Sequence, residues 1–410
     1  MTQDTKAKFS KLNKWFMVIF NGLGADLLFY IAIDTLFLTT VKGLSSSDIA
    51  LLTTVATLFC LVSYFPISIL INKIKKQYCV IIKYFFLLLS IILYTFGANL
   101  LLFILADVLY ELAFLFGQMS FVIFRNNLEA SGQKDEYVNL RGKSRTVYSI
   151  VTFIIALVAG YLFAMNSYLP MYLCIAVTSV MFVLSFFYKE IKIQPKEQNI
   201  KQKKFSIKFL FTVFTFILIC SAVFVTRNLS TIQKYSRLAI QYTFQDAGFG
   251  AERIAIILGY IVIGSRIVRI LGSMIFPKIY SKTQNKRNLI VFIPIILLFA
   301  SLFVTFGLAF NFNYILKIIL ISIGFYLCLM IIDTYAVIIE DVVLSNSTEQ
   351  TKSSNMILIK FLNMIANFLL NFVAFSLLEN FPMYVLFIVL AVFCVVGIFV
   401  AHRISGYIKK

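Results

Sequence analysis

Apolar stretches long enough to cross a bilayer recur along the whole 410-residue chain, and they restrict its fold more than any other feature. A hydrocarbon core about 30 Å thick takes about 20 helical residues per crossing. Segments of that length lie near 15–39, 48–71, 79–98, 101–124, 146–165, 169–188, 207–232, 254–276, 288–308, 314–339, 354–378 and 383–401. With 60% hydrophobic residues, 44 Phe and only 13% charged residues, the chain has more apolar surface than a soluble globule of this length can hide. In lipid every backbone polar group must bond internally, so the expected fold class is an all-α integral membrane protein with twelve transmembrane helices. The seventh segment is the least regular, because Arg227, Lys234 and Arg237 interrupt or follow it.

The segments fall into two like halves. Gly43-Leu44-Ser45-Ser46-Ser47-Asp48-Ile49-Ala50 opens an apolar run closed by Asn72-Lys73-Ile74, and Gly248-Phe249-Gly250-Ala251-Glu252-Arg253-Ile254-Ala255 opens one closed by Pro277-Lys278-Ile279. Both ends of the run register at one offset of 205 residues, half the chain length. An internal duplication predicts two pseudo-symmetric six-helix bundles, 1–188 and 207–410, joined by a linker over 189–206.

Basic residues alternate between the two ends of the segments. Lys6, Lys8, Lys11 and Lys14 precede the first, Lys73, Lys75 and Lys76 follow the second, and Arg141, Lys143 and Arg145 follow the fourth. Lys189 to Lys204 fill the linker, Lys278 to Arg287 follow the eighth segment, and Arg403, Lys409 and Lys410 follow the twelfth. The positive-inside rule then places both termini and the linker in the cytoplasm. The loop after the tenth segment fits less well, since Glu340, Asp341 and Glu349 outnumber Lys352. A bacterial plasma membrane is the expected location, and the first apolar run is too long for a signal peptide. The net charge of +19 reads as a topology signal and an attraction to anionic membrane lipids, not as a nucleic-acid surface.

The six cysteines lie in or beside apolar segments with no CxxC pair, and the single histidine, His402, ends the last one. Neither set has metal-ligand spacing, and the chain carries no nucleophile–base motif or phosphate-cradling glycine loop. Neither an enzyme nor a bound cofactor is expected.

Polar residues sort the segments by environment. The third, sixth, ninth and twelfth carry no charge except near their ends, where Lys83 can snorkel, and are expected to face lipid. Asp26 and Asp34 lie in the first segment, Asp107 and Glu111 in the fourth, Arg227 in the seventh, Arg266 and Arg269 in the eighth, Asp333 in the tenth and Lys360 in the eleventh. Charge at bilayer depth is costly unless paired or hydrated, so these segments should face one another or a water-filled cavity.

This arrangement of two six-helix halves, inside termini and a basic linker resembles the major facilitator superfamily of secondary transporters. The family's loop motif after the second helix, Gly-x-x-x-Asp-Arg-x-Gly-Arg-Arg, lies over Ser68-Ile69-Leu70-Ile71-Asn72-Lys73-Ile74-Lys75-Lys76-Gln77, with Asn72 at the acid and Lys73 and Lys76 at bases. The resemblance implies that these three residues form a gate loop, although Asn72 lacks the acid's charge; simple anchoring by the lysines is the other reading. It also implies that the first, fourth, seventh and tenth helices line a central cavity.

Counted from Trp15, Asp26 lies roughly 16 Å into the membrane, near the midplane. Asp107 and Glu111 are spaced i,i+4 and share one helix face. Asp26, Asp107 and Glu111 can carry a proton through a transport cycle or meet a cationic substrate; equally, they can form buried ion pairs with Arg227, Arg266 or Arg269. Arg266 and Arg269, at i,i+3, can grip an anionic substrate or bridge the halves. Lys360, Asn363, Asn367 and Asn371 make one polar stripe, read as packing glue between helices more readily than as a ligand site. Asn21, Gly22 and Gly24 read as a close-packing motif.

The expected function is a secondary active transporter that moves a small solute by alternating access, coupled to protons and working as a monomer. The alternative is a lipid-linked-product translocator or a non-transporting assembly or sensor protein.

Overall fold

The computed structural model describes residues 14–130, 137–190, 213–282, 286–345 and 352–405. All regular structure among them is helical. The first expected segment is met by two pieces, α1 (14–23) and α2 (Leu28–Leu36), the second running into a π-helical turn, Phe37–Val41. There follow α3 (Ser46–Lys73), α4 (Lys76–Phe96), α5 (Leu100–Ala130), α6 (Tyr137–Met165) and α7 (Leu169–Ser185). The second half of the chain forms α8 (Val213–Asp246), α9 (Ala251–Lys282), α10 (Lys286–Ala309), α11 (Tyr314–Ser345), α12 (Lys352–Asn380) and α13 (Met383–Ser405).

Each expected segment overlaps a helix, the seventh over its described residues from 213 on. Among the described residues nine helical stretches are long and apolar enough to cross a membrane, and Leu169–Ser185 and Met383–Phe399 are apolar but shorter. The chain is a multi-pass membrane protein. The seventh expected segment, 207–232, is corrected: α8 continues to Asp246, so Lys234 and Arg237 stand inside the helix and not in a turn. The Lys234 side chain is held within the fold by a 2.6 Å bond to Thr53 Oγ1, and that of Arg237 is partly buried.

The chain divides into two compact units, one of Met1–Phe37 with Val55–Gln202, the other of Leu38–Thr54 with Lys203–Lys410. In the first, α4 packs on α5 and α7, and α2 on α6 and α7. Ile71, Cys79 and Phe116 form a small apolar core cluster within it. In the second, α10 packs on α11 and α13, and α11 on α8 and α9. Segment 38–54 is bound to α8 at two points, where Lys234 donates to Thr53 and the Gln241 amide to Thr39 Oγ1.

Lipid supplies little hydrophobic drive between helices, so contacts rest on close packing and on side chain to backbone hydrogen bonds. Ser90 Oγ donates to Ala106 O at 2.8 Å across α4 and α5. Ser301 Oγ donates to Phe387 O at 2.7 Å across α10 and α13, and Tyr326 OH to Ile261 O at 3.0 Å across α11 and α9.

The repeated loops fold alike. Among the described residues the left-handed backbone region is occupied at Gly43 (φ 70°) and Gly248 (φ 81°), at matching positions of the repeat. A side chain would strain such a conformation, which accounts for glycine at both sites. Six residues on, Ile49 N donates to Ser45 O and Ile254 N to Gly250 O, both at 3.1 Å. In the first copy Asp48 N donates to Ser45 Oγ and Ser45 N to Asp48 Oδ2, a reciprocal cap that starts α3.

Candidate functional site at a broken first helix

The first apolar segment breaks between residues 23 and 28. Its sequence there, Asn21-Gly22-Leu23-Gly24-Ala25-Asp26, combines two glycines, which hold a helix weakly, with an aspartate that competes for backbone donors. Asp26 Oδ1 accepts the backbone N–H of Leu27 at 2.8 Å and so sits at the start of α2. The glycines allow close approach, as expected from sequence: a Cβ on Gly24 would lie 2.0 Å from the Tyr84 hydroxyl, and one on Gly22 2.7 Å from Val147 Cγ1.

A polar cluster gathers round this break. Tyr110 on α5 donates its hydroxyl to Asp26 Oδ1 at 2.7 Å. From α4, the Lys83 ammonium donates to Gly24 O at 2.7 Å, and Tyr84 OH donates to the same carbonyl at 3.0 Å. Below the break, Asn21 Nδ2 donates to Tyr188 OH, which donates to Ser120 O. Phe20, Tyr84 and Tyr188 pack their rings around that point.

Lys83 corrects the expectation that it snorkels from a lipid-facing helix. It is 7% exposed and turned inward, because the break leaves Gly24 O without a helical partner and an ammonium satisfies it. The outer face of α4 is carried instead by Tyr78 and Phe85.

A second carboxylate lies one turn from Tyr110. Asp107 Oδ1 accepts the Tyr94 hydroxyl at 2.6 Å, and Tyr94 stacks on Tyr30 of α2 at 4.5 Å between ring centroids. Glu111 is partly buried on the same helix. Asp26, Asp107 and Glu111 therefore share one unit, the first two each bonded to a tyrosine from another helix. Asp34 Oδ1 accepts the N–H of Thr35.

The remaining predicted residues are distributed elsewhere. Arg266 and Arg269 are partly buried on α9 of the second unit. In the stripe on α12, Asn371 Nδ2 donates to Asn367 O at 2.8 Å and lies 3.3 Å from Asn367 Oδ1, with Asn363 partly buried one turn before. The side chains of Asn72, Arg227, Asp333 and Lys360 lie outside the described ones. In the gate-loop segment Lys73 is exposed at the end of α3, whereas Lys76 pairs with Glu190 Oε1 at 2.6 Å, an oxygen that also accepts Asn126 Nδ2 at 2.7 Å. Lys76 and Glu190 border a pocket of about 440 Å³ walled by Ile71, Ile74 and Met119.

Lys83, Tyr84, Tyr94, Tyr110 and Glu190 were not singled out by sequence. For Lys83 a signal existed: it stands seven residues inside α4, about 10 Å from its end at 1.5 Å per residue. The tyrosines carried none, because one hydroxyl in an aromatic-rich helix looks like any core ring.

No protein-family model matches the chain, and no curated protein matches it in sequence. Solved structures do match. The chain is similar over 100% of both chains to the crystal structure of the nucleoside transporter NupG, with a TM-score of 0.68 at 13% identity. To a mutant of that transporter the TM-score is 0.70 at 12% identity, over 96% of this chain and 99% of that one. A bacterial metal transporter matches at 0.63 and 13% identity, over 99% of both. These neighbours are transporters, not enzymes. The full-length structural likeness gives this chain the all-helical fold of these membrane transporter structures.

Proposed function

We propose that the chain is a secondary active transporter of the major facilitator superfamily that moves a small solute by alternating access and is driven by protons through Asp26. The observation that carries this reading is Asp26 itself: a partly buried carboxylate at a helix break, bonded to Tyr110 and two residues from the Gly24 carbonyl that Lys83 holds. An ionisable group inside a membrane segment is expensive and marks a functional site by default. Helix breaks at membrane depth serve the same end, since they present backbone groups and side chains to a solute or ion.

On this reading residues 1–188 and 207–410 are the two halves, 189–206 is a cytoplasmic linker, and the protein works as a monomer in the plasma membrane. The fold it shares with a nucleoside and a metal transporter supports solute transport without selecting a substrate. Asp107 and Glu111 provide further carboxylates in the same unit, and the arginines on α9 offer anion-binding groups in the other.

The test is uptake and counterflow in proteoliposomes, with substrate identified by screening a deletion strain. Asp26→Asn is expected to abolish accumulation driven by a proton gradient while leaving exchange down a substrate gradient partly intact. Glu111→Gln is expected to act in the same direction. Normal accumulation by both variants at every pH would remove these carboxylates from coupling.

A further inference from the structure

The break in the first helix creates an electrostatic problem that the chain solves with one of its own side chains. Gly24 O loses its helical donor, and Asp26 brings a negative charge to the same turn. In a medium with little water both need compensation, and the usual solution is a bound cation or an opposite charge. Here the cation is tethered. Lys83 Nζ lies 2.7 Å from Gly24 O, 3.5 Å from Tyr84 OH and 4.7 Å from the centroid of the Tyr84 ring. A carbonyl, a phenol and an aromatic face are groups that recognise an ammonium ion.

The seat is shaped for this side chain. Gly117 on α5 faces the lysine stem, and a Cβ there would come within 3.0 Å of Lys83 Cδ and 3.3 Å of Cε. Tyr84, which completes the seat, is itself fixed by its bond to Gly24 O and by the ring of Phe20 5.0 Å away.

We propose that Lys83 is the built-in counter-cation of the first-helix break, a positioning residue that neutralises Asp26 and holds the Gly24 carbonyl, so that this site takes an ammonium group and needs no free metal cation. Asp26 and Lys83 then bring opposite charges to the same break, the ammonium seated on Gly24 O and the carboxylate two residues further on. Losing one charge leaves the other buried and uncompensated; losing both does not. The pair deepens the proposed role of Asp26 and rests on that reading for its consequence in transport, not for its existence.

The experiment is a double-mutant cycle on the purified full-length protein, read by thermal unfolding. Lys83→Met is expected to lower the unfolding midpoint, and Asp26→Asn added to it to recover most of the loss. If Lys83→Met yields no folded protein, recovery of folded protein in Lys83→Met/Asp26→Asn supports the pair, and failure of the double variant overturns it. Additive losses also overturn it.

A second arm uses Lys83→Ala, whose vacated seat should accept methylammonium. Methylammonium chloride is expected to raise the midpoint of this variant, with no such shift from choline chloride and none in the wild type. Equal shifts from both salts, or none, would show that the seat does not recognise an amine. Transport separates the two readings: if Asp26→Asn keeps proton-driven accumulation while the cycle is non-additive, the coupling role fails and the charge pair stands. If Asp26→Asn loses accumulation while the cycle is additive, the coupling role stands and the pair falls.

Discussion

Tyr110 donates its hydroxyl to Oδ1 of Asp26 at 2.7 Å, tying α5 to the break in the first helix across 84 residues of sequence. The same oxygen accepts the N–H of Leu27, so one carboxylate atom both starts α2 and anchors it to a neighbouring helix. A change in the state of Asp26 would therefore be felt at once in the helix that carries it.

Tyr110→Phe removes only that hydroxyl. A hydrogen bond to a charged group is worth about 1.5–3 kcal/mol, so a loss of stability within that range is expected in thermal or denaturant unfolding. Exchange transport should persist, since the backbone bond from Leu27 still orients Asp26. A variant as stable as the wild type would mean that the contact is energetically empty.

The paired loop glycines make a comparison across the repeat. Gly43→Ala and Gly248→Ala put a side chain on left-handed backbone with nothing within 4 Å to clash, so the cost is conformational alone. About 1–2 kcal/mol is expected for each. Gly250→Ala in the same loop, where φ is not positive and nothing lies within 4 Å, should cost less. Unfolding midpoints that rank Gly250→Ala as the most damaging of the three would contradict the shared loop geometry.

The Lys76–Glu190 pair is partly exposed, and such pairs contribute about 0–1 kcal/mol. Glu190→Gln keeps an acceptor for Asn126 and is expected to shift the unfolding midpoint little, the more so at high salt. Glu190→Ala removes the acceptor as well and should cost more. Equal effects from the two variants would show that the Asn126 bond contributes nothing.

Topology is open to a cysteine-accessibility scan in intact cells. Positions 194–200 should label only from the cytoplasm, and positions 166–168, in the turn between α6 and α7, only from outside. Reversal of either result would overturn the orientation deduced from the lysines and arginines.

What the sequence determined by itself was everything that depends on composition along one helix. Apolar length located the helices, apart from the break after Leu23 in the first and the run of the seventh on to Asp246, because backbone polar groups in lipid must bond internally. Gly43 and Gly248 were legible as a repeat, since only glycine is at ease in the backbone conformation both adopt. The intramembrane charges Asp26, Asp107 and Glu111 stood out because their cost is intrinsic to each residue.

Only the tertiary structure decided which groups meet those charges. Lys83 lies 59 residues from Gly24 and Tyr110 84 residues from Asp26, and no periodicity along α4 or α5 specifies a partner on another helix. The break after Leu23 was also a tertiary decision. Two glycines weaken a helix by about 2 kcal/mol in all, too little to choose between a kink and a straight run. Bonds from Lys83, Tyr84 and Tyr110 to Gly24 and Asp26 supply what the local sequence lacks, because in a medium without water those groups are satisfied by protein or not at all.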